Sequence, residues 1–158
     1  MSKIPEIPGT PLMRQYLEVK SQHPESIVLF RMGDFFETFN EDAKITAKIL
    51  GIVLTKRANG AASDVPLAGF PHHVLDNYLP KLVNAGHRVA ICEQVEDPKL
   101  AKGIVRREVI EVVTPGTITS DQALNQKSNT YIASICFHHD NAGYAILDQS
   151  TGEFFLGE

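Results

Sequence analysis

Tryptophan is missing altogether from this 158-residue chain, and cysteine occurs only twice. Cys92 and Cys136 each lie inside an apolar, strand-like run, and no C-x-x-C pair exists. That argues against a zinc site or a dithiol redox motif and leaves two buried, reduced thiols as the expectation. No apolar run approaches the roughly 20 residues that span a bilayer. Residues 1–9 lack the apolar stretch of a signal peptide, so a cytoplasmic location with no membrane contact is expected. No glycine-rich phosphate loop of the form G-x-x-x-x-G-K-[ST] occurs, so nothing in the chain suggests ATP hydrolysis. Positive charge is also short, with 15 Lys and Arg against 19 Asp and Glu, a net charge of -4 and a pI near 5.8. Proteins that hold nucleic acid by its phosphates normally carry a basic surplus. Composition alone therefore points away from nucleic acid; any such contact must be local, or a basic clamp must lie elsewhere.

What is present suffices for one ordinary domain, or one domain and part of a second, with 43% apolar residues to build a core. Thr10 is placed to cap a first helix, Pro11 suits its first position, and Leu12, Met13, Tyr16 and Leu17 form an apolar stripe that Pro24 ends. Residues 26–32 read as a strand buried on both faces. Gly33 interrupts it, and residues 34–39 resume in extended form. Asn40 is a candidate cap for a second helix, with Glu41 and Asp42 in its first turn and Gly51 as its stop. A strand is predicted over residues 52–57, a small-residue loop over 58–64, and a helix carrying Val74, Leu75, Tyr78, Leu79, Leu82 and Val83 on one face. Pro80 within that helix should kink it or cost one backbone bond. Strands are predicted over 87–95 and 104–113, with a charged connection over 96–103 and a turn over 114–117. This alternation indicates an α/β fold, a mixed sheet flanked by helices. Beyond a polar stretch over 120–129 the texture changes to short antiparallel strands at 131–137, 143–147 and 153–155.

One heptapeptide stands apart, Arg31-Met32-Gly33-Asp34-Phe35-Phe36-Glu37. Side chains alternate along a strand, so Phe35 and Glu37 share a face and Phe36 points the other way. A carboxylate is an odd neighbour for a core aromatic, and Gly33 allows a turn that places the pair at the rim. An exposed ring beside a hydrogen-bonding group can read a base step: the ring wedges or stacks, and the polar group contacts the displaced edge. On spacing alone, however, ordinary core packing is favoured.

The wording around the motif is more specific. Met32-Gly33-Asp34-Phe35-Phe36-Glu37 resembles the F-x-E signature of the MutS family. Further phrases of that family follow in order: Leu54-Thr55-Lys56-Arg57, Pro66-Leu67-Ala68-Gly69-Phe70-Pro71-His72-His73, Asn77-Tyr78-Leu79-Pro80-Lys81-Leu82-Val83, Val89-Ala90-Ile91-Cys92-Glu93-Gln94 and Val113-Thr114-Pro115-Gly116-Thr117. The run from Ala145 to Phe154 is similar to the start of the family's RNase-H-like connector domain. The resemblance implies an N-terminal arm over 1–9, a mismatch-recognition domain over 10–117, a linker over 118–129 and a truncated connector over 130–158. It implies that Phe35 stacks on a mispaired base and Glu37 hydrogen-bonds to it. Met32 and Asp34 would flank the probe, Lys56 and Arg57 would lie near the DNA backbone, and Leu67 and residues 58–63 would lie close to the same groove. Two departures, Phe36 where Tyr is common and Pro80 where a helix former is common, leave the probe chemistry intact.

The implied partner is double-stranded DNA carrying mismatches or small insertion/deletion loops. The full-length protein is expected to be a homodimer that recruits MutL in the bacterial cytoplasm, at the nucleoid. ATP and magnesium belong to a C-terminal ATPase domain absent from this sequence, so no cofactor, metal or catalytic residue is assigned here. Near DNA phosphates Glu37 is expected to favour its protonated, donor form. Two other readings remain: a metal-dependent nuclease built from Asp34, Glu37, Glu93 and Lys56, and an interaction module in which Phe35 packs on a partner protein. The pairs His72-His73 and His138-His139 are poorly spaced for a metal. Lys99, Lys102, Arg106 and Arg107 read as a solvated charged face.

Overall fold

The computed structural model describes residues 9–60, 62–97, 101, 103–117 and 129–158. The proposed linker and the N-terminal arm therefore fall almost wholly outside the described residues. Helix α1 (Pro11–Gln22) starts as its sequence requires: Thr10 Oγ1 accepts the Met13 N–H at 3.4 Å, and Pro11 occupies the first position, where no N–H is needed. Its inward face is Met13, Tyr16 and Val19. Strand β1 (Ser26–Met32) turns at Gly33-Asp34 into β2 (Phe35–Phe39), and helix α2 (Asn40–Leu50) follows, stopped by Gly51 at φ 67°. A hairpin of β3 (Thr55–Asn59) and β4 (Ala62–Pro71) leads through a 3-10 turn (His72–Val74) to α3 (Leu75–Asn84). Strands β5 (Arg88–Gln94) and β6 (Arg107–Val113) complete a sheet of order β3-β4-β2-β1-β5-β6. Every pairing in it is antiparallel except β1 with β5. This is the mixed α/β architecture expected.

Both faces of the sheet are covered. On one, Ile27, Leu29, Phe36, Phe70 and Ile91 pack with α2 and α3, through Ile45, Ile49, Tyr78 and Leu82. On the other, Val28, Phe30, Phe39, Ala90 and Cys92 pack beneath α1. The Tyr16 ring stands edge-on to Phe39 with centroids 4.8 Å apart. That double cover explains why β1 buries Ser26 through Phe30 without interruption. Buried Asp42 ties the layers together, accepting from Lys20 Nζ at 2.8 Å, Val28 N at 3.0 Å and Tyr16 Oη at 3.2 Å. Burial, more than the neighbouring Asp42, pushes the Tyr16 hydroxyl far above its ordinary pKa.

Several boundaries differ from expectation. The strand predicted from residue 52 begins at Thr55, because Val53 and Leu54 are exposed and have no place in the sheet. Residues 62–71, read as loop and unassigned chain, form β4. Pro66, Gly69 and Pro71 disguise it, since these residues normally argue against a strand. Strand β6 starts at Arg107, three residues later than the predicted 104. Asn40 is the first residue of α2, at φ 54°, and Phe39 takes the capping position. Asparagine tolerates that left-handed conformation, and the Phe39 side chain, an aromatic ring packed on Tyr16, has no polar group with which to cap the helix.

A second, three-stranded antiparallel sheet is formed by β7 (Tyr131–His138), β8 (Asn141–Asp148) and β9 (Phe154–Gly157). Cys136 is exposed there, against the expectation of two buried thiols, whereas Cys92 is buried in the larger sheet. The run around Cys136 is strand-like, but nothing among the described residues covers it. No helix of the described residues is long and apolar enough to cross a membrane.

Candidate functional site

The β1–β2 hairpin carries the candidate site. Its register pairs Met32 with Phe35, Arg31 with Phe36 and Phe30 with Glu37. Directly opposed residues share a face, so Phe35 and Glu37 lie with Met32, Phe30 and Phe39, and Phe36 lies with Arg31. The expected alternation is realised. Yet the aromatics fare differently: Phe36 is 1% exposed, Phe39 0%, and Phe35 45%. Phe39 sits under α1, whereas Phe35 leaves the turn on the same face with little over it. Gly33 permits that turn, at φ 56°. With glycine in a left-handed conformation at the first central position, two-residue loops follow the twist of the strands.

Glu37 is held more firmly than the sequence suggests. Arg57 Nη1 donates to its Oε2 at 2.7 Å, and only 17% of the Glu37 side chain is exposed. Gly69 lies opposite on β4. A Cβ there would fall 2.9 Å from the Phe36 carbonyl oxygen and 3.3 Å from Glu37 Cγ, so the glycine makes room for the carboxylate's stem. Burial pushes the Glu37 pKa up, opposed by the Arg57 charge and its hydrogen bond and then by the charge of Arg107. The net direction is upward.

Arg107 corrects an expectation. It belongs to no solvated face: it is 8% exposed, its guanidinium lies 5.1 Å from the Phe30 ring centroid, and it donates to the Arg31 carbonyl, to Gln15 Oε1 at 3.1 Å and to the Val105 carbonyl at 2.7 Å. Alternation in β6, which aligns Arg107 with the inward Val109, was the available signal. Arg106 is exposed and pairs with Glu108, while Lys99 and Lys102 lie outside the described residues.

The remaining predicted residues separate. Asp34 is exposed at the turn, and Met32 is half-buried, paired with Phe35 on the same rung. Lys56 and Arg57, adjacent in sequence, point to opposite faces, so Arg57 joins Glu37 and exposed Lys56 does not. Leu67 pairs with Phe39 and packs on the core under α1, further from the turn than Gly69. The imagined nuclease cluster does not assemble. Glu93 pairs at 3.1 Å with Arg31, whose guanidinium lies 5.6 Å from the Phe36 ring centroid, so Glu93 and Glu37 occupy opposite faces. Among the described residues no three His, Cys, Asp or Glu side chains gather as metal ligands.

Comparison with known proteins places this geometry in a family. A family profile described as MutS domain I matches residues 10–122. A "DNA mismatch repair protein MutS" of Porphyromonas gingivalis is 58% identical over 149 residues, covering 94% of this chain and 17% of that protein. Proteins of the same name from Parabacteroides distasonis and Flavobacterium johnsoniae are 57% identical over 158 residues and 56% over 149, covering 100% and 94% of this chain and 18% and 17% of their own lengths. The chain thus spans under a fifth of the relatives it matches. With a domain profile over most of its length and that identity across nearly all of it, the chain belongs to the MutS family of DNA mismatch repair proteins.

Proposed function

We propose that this chain tests base pairs, with Phe35 as the wedge and Glu37 as the group that contacts the displaced base. One observation carries the reading: Phe35 is left exposed at the end of a hairpin whose neighbouring phenylalanines are buried, and a restrained carboxylate shares its face. Unstacking a base step costs a few kcal/mol, and stacking on an aromatic ring returns about 1–3 kcal/mol. A paired, stacked base does not repay the distortion, while a mispaired or looped base requires less of it. Discrimination then reads local deformability of the duplex rather than sequence.

Glu37, its pKa already raised by burial, meets a further push toward the protonated form in the field of DNA phosphates. In that state it donates a hydrogen bond to a base nitrogen. Arg57, with 36% of its side chain exposed, reaches both Glu37 and a neighbouring phosphate. Lys56, Asp34, Met32 and Leu67 take flanking or supporting places around it. Residues 10–117 act as the recognition unit, 118–129 as a linker and 130–158 as the opening strands of the connector. The substrate is double-stranded DNA with mismatches or small insertion/deletion loops. The full-length protein acts as a homodimer in the bacterial cytoplasm at the nucleoid, recruits MutL, and uses ATP and magnesium in a domain outside this chain.

The test is a gel shift of the full-length protein on a G·T duplex and its matched counterpart. Phe35→Ala is expected to abolish the preference for the mismatch without lowering the melting temperature, because the ring is largely outside the core. Unchanged discrimination overturns the reading.

A further inference from the structure

A wedge works only on a stiff mount, and the β1–β2 turn has little packing of its own. Among the described residues, nothing beyond its own chain neighbours lies within 4 Å of the place a Cβ would occupy at Gly33. Both turn carbonyls are instead held by donors tied to other parts of the sheet. Arg31 Nε donates to the Gly33 carbonyl, and Arg31 is in turn anchored to Glu93. The Asp34 carbonyl accepts twice from a single residue: from the backbone N–H of His72 at 2.8 Å and from its ring Nδ1 at 3.0 Å. A carbonyl oxygen only accepts, so Nδ1 carries the proton in this contact.

The chain around His72 is shaped for that double contact. The β2–β4 ladder ends on the rung Phe35–Pro71, where proline has no N–H to give. Pro71, at φ -58° and ψ 136°, directs the chain into the 3-10 turn that His72 opens. That turn runs directly into α3, whose Leu75, Tyr78 and Leu79 pack on the core. The donors on Asp34 therefore belong to a packed body, not to a second loop.

We propose that His72 is a positioning residue for the Phe35 probe, its two donors fixing the Asp34–Phe35 peptide against rotation when the ring is driven between bases. The peptide is planar, so the direction of the Asp34 carbonyl sets the plane from which the Phe35 side chain departs. One hydrogen bond lets a carbonyl swing about it, whereas two from the same residue hold its direction. The inference rests on the wedge role of Phe35 proposed above.

The test compares His72→Ala, His72→Asn and Phe35→Ala in the full-length protein, by affinity for G·T and matched duplexes and by quenching of a base analogue beside the mismatch. Asparagine places its Nδ2 donor where Nδ1 stands. His72→Ala should lower the mismatch-to-matched ratio about fivefold, the weight of one hydrogen bond, with matched-duplex affinity unchanged. His72→Asn should restore most of the ratio and the quenching. A purely structural role would lower both affinities together. The inference is overturned if His72→Ala discriminates like wild type, if it weakens both duplexes equally, or if His72→Asn is as poor as alanine. Phe35→Ala separates the two levels: if it discriminates normally, the wedge reading fails; if it alone loses discrimination, only the role of His72 fails. Should His72→Ala melt early, His72→Asn against His72→Leu gives the same comparison at similar side-chain size.

Discussion

Replacing Arg57 with Gln isolates the electrostatics of the site. The substitution removes a donor 2.7 Å from Glu37 Oε2 and leaves a carboxylate whose side chain is 17% exposed, facing the more distant charge of Arg107. A hydrogen bond to a charged group contributes about 1.5–3 kcal/mol. Arg57 is 36% exposed, so solvent screening lowers that figure, and about 1–2 kcal/mol is expected at neutral pH.

The pH dependence follows from the direction of the Glu37 shift. Its folded pKa is raised, so the folded state prefers the protonated form. The contribution of this group to stability is fully present below its unfolded pKa and falls away as pH rises through the folded value. Arg57 is the largest influence holding that value down. Without it the raise grows, and the variant loses more stability than wild type on the climb to neutral pH. Below the unfolded pKa the carboxyl is protonated in both proteins, and the two converge. Urea unfolding at about pH 4 and about pH 7.5 measures the difference, with the Glu37 carboxyl followed by NMR. In a Glu37→Gln background, Arg57→Gln should cost little at either pH, so the double-mutant cycle assigns the effect to the pair. An equal loss at both pH values, or a Glu37 titration in Arg57→Gln no higher than in wild type, would refute the reasoning.

Gly69→Ala places a Cβ against the Phe36 carbonyl oxygen, which cannot yield as a side-chain tip could. Overpacking should cost about 1–3 kcal/mol, read as a lower urea midpoint, with mismatch preference falling because Glu37 is displaced; an unchanged midpoint refutes it. Asp148→Asn tests the second sheet, where the carboxylate accepts from Ser150 N at 2.9 Å, Thr151 Oγ1 at 2.9 Å and Thr130 N at 3.3 Å. Hydrogen bonds to Ser150 lead in drawing its pKa down to about 2, so its stabilisation is present above the unfolded value and lost as pH falls through about 2. The variant should show faster amide exchange in β8 and β9 at neutral pH and a flatter acid limb; wild-type exchange rates would count against it.

What the sequence made legible follows from the range of the forces involved. Alternation within one strand is a local property, and it placed Phe35 and Glu37 together and Phe36 apart. The cap at Thr10 and the stop at Gly51 are likewise local, and both were readable. The Arg57–Glu37 bond depends on register across β2, β4 and β3 at once, and β4 itself was hidden by Pro66, Gly69 and Pro71. Arg107 enters the site from a strand that joins the sheet next to β5, so its burial follows from topology rather than from its charged neighbours in sequence. The family resemblance sets Lys56 and Arg57 together near the DNA backbone, yet a strand separates neighbours by its pleat, and only Arg57 faces Glu37. Cys136 shows the converse: a strand-like run says nothing about which of its faces will be covered.

Net charge of -4 conflicts with reading DNA only if affinity must come from the overall field of the domain. Three of the arginines around the hairpin and β6 are matched at close range: Arg57 to Glu37, Arg31 to Glu93, and Arg106 to Glu108. Charges cancelled over a few ångströms attract phosphate weakly at a distance. For the proposed probe this is consistent with discrimination rather than opposed to it. Phosphate contacts strengthen binding to matched and mismatched duplexes alike, because the backbone carries no information about pairing. A strongly basic tip would raise both affinities and leave their ratio where it was. A half-exposed ring on a braced turn gains little from an intact stack, where opening a step costs a few kcal/mol, and more where the step is already weak. Under the proposed wedge, low affinity for normal DNA at this tip is therefore part of how a mismatch would be told apart, and the grip on the duplex would come from surfaces that read nothing.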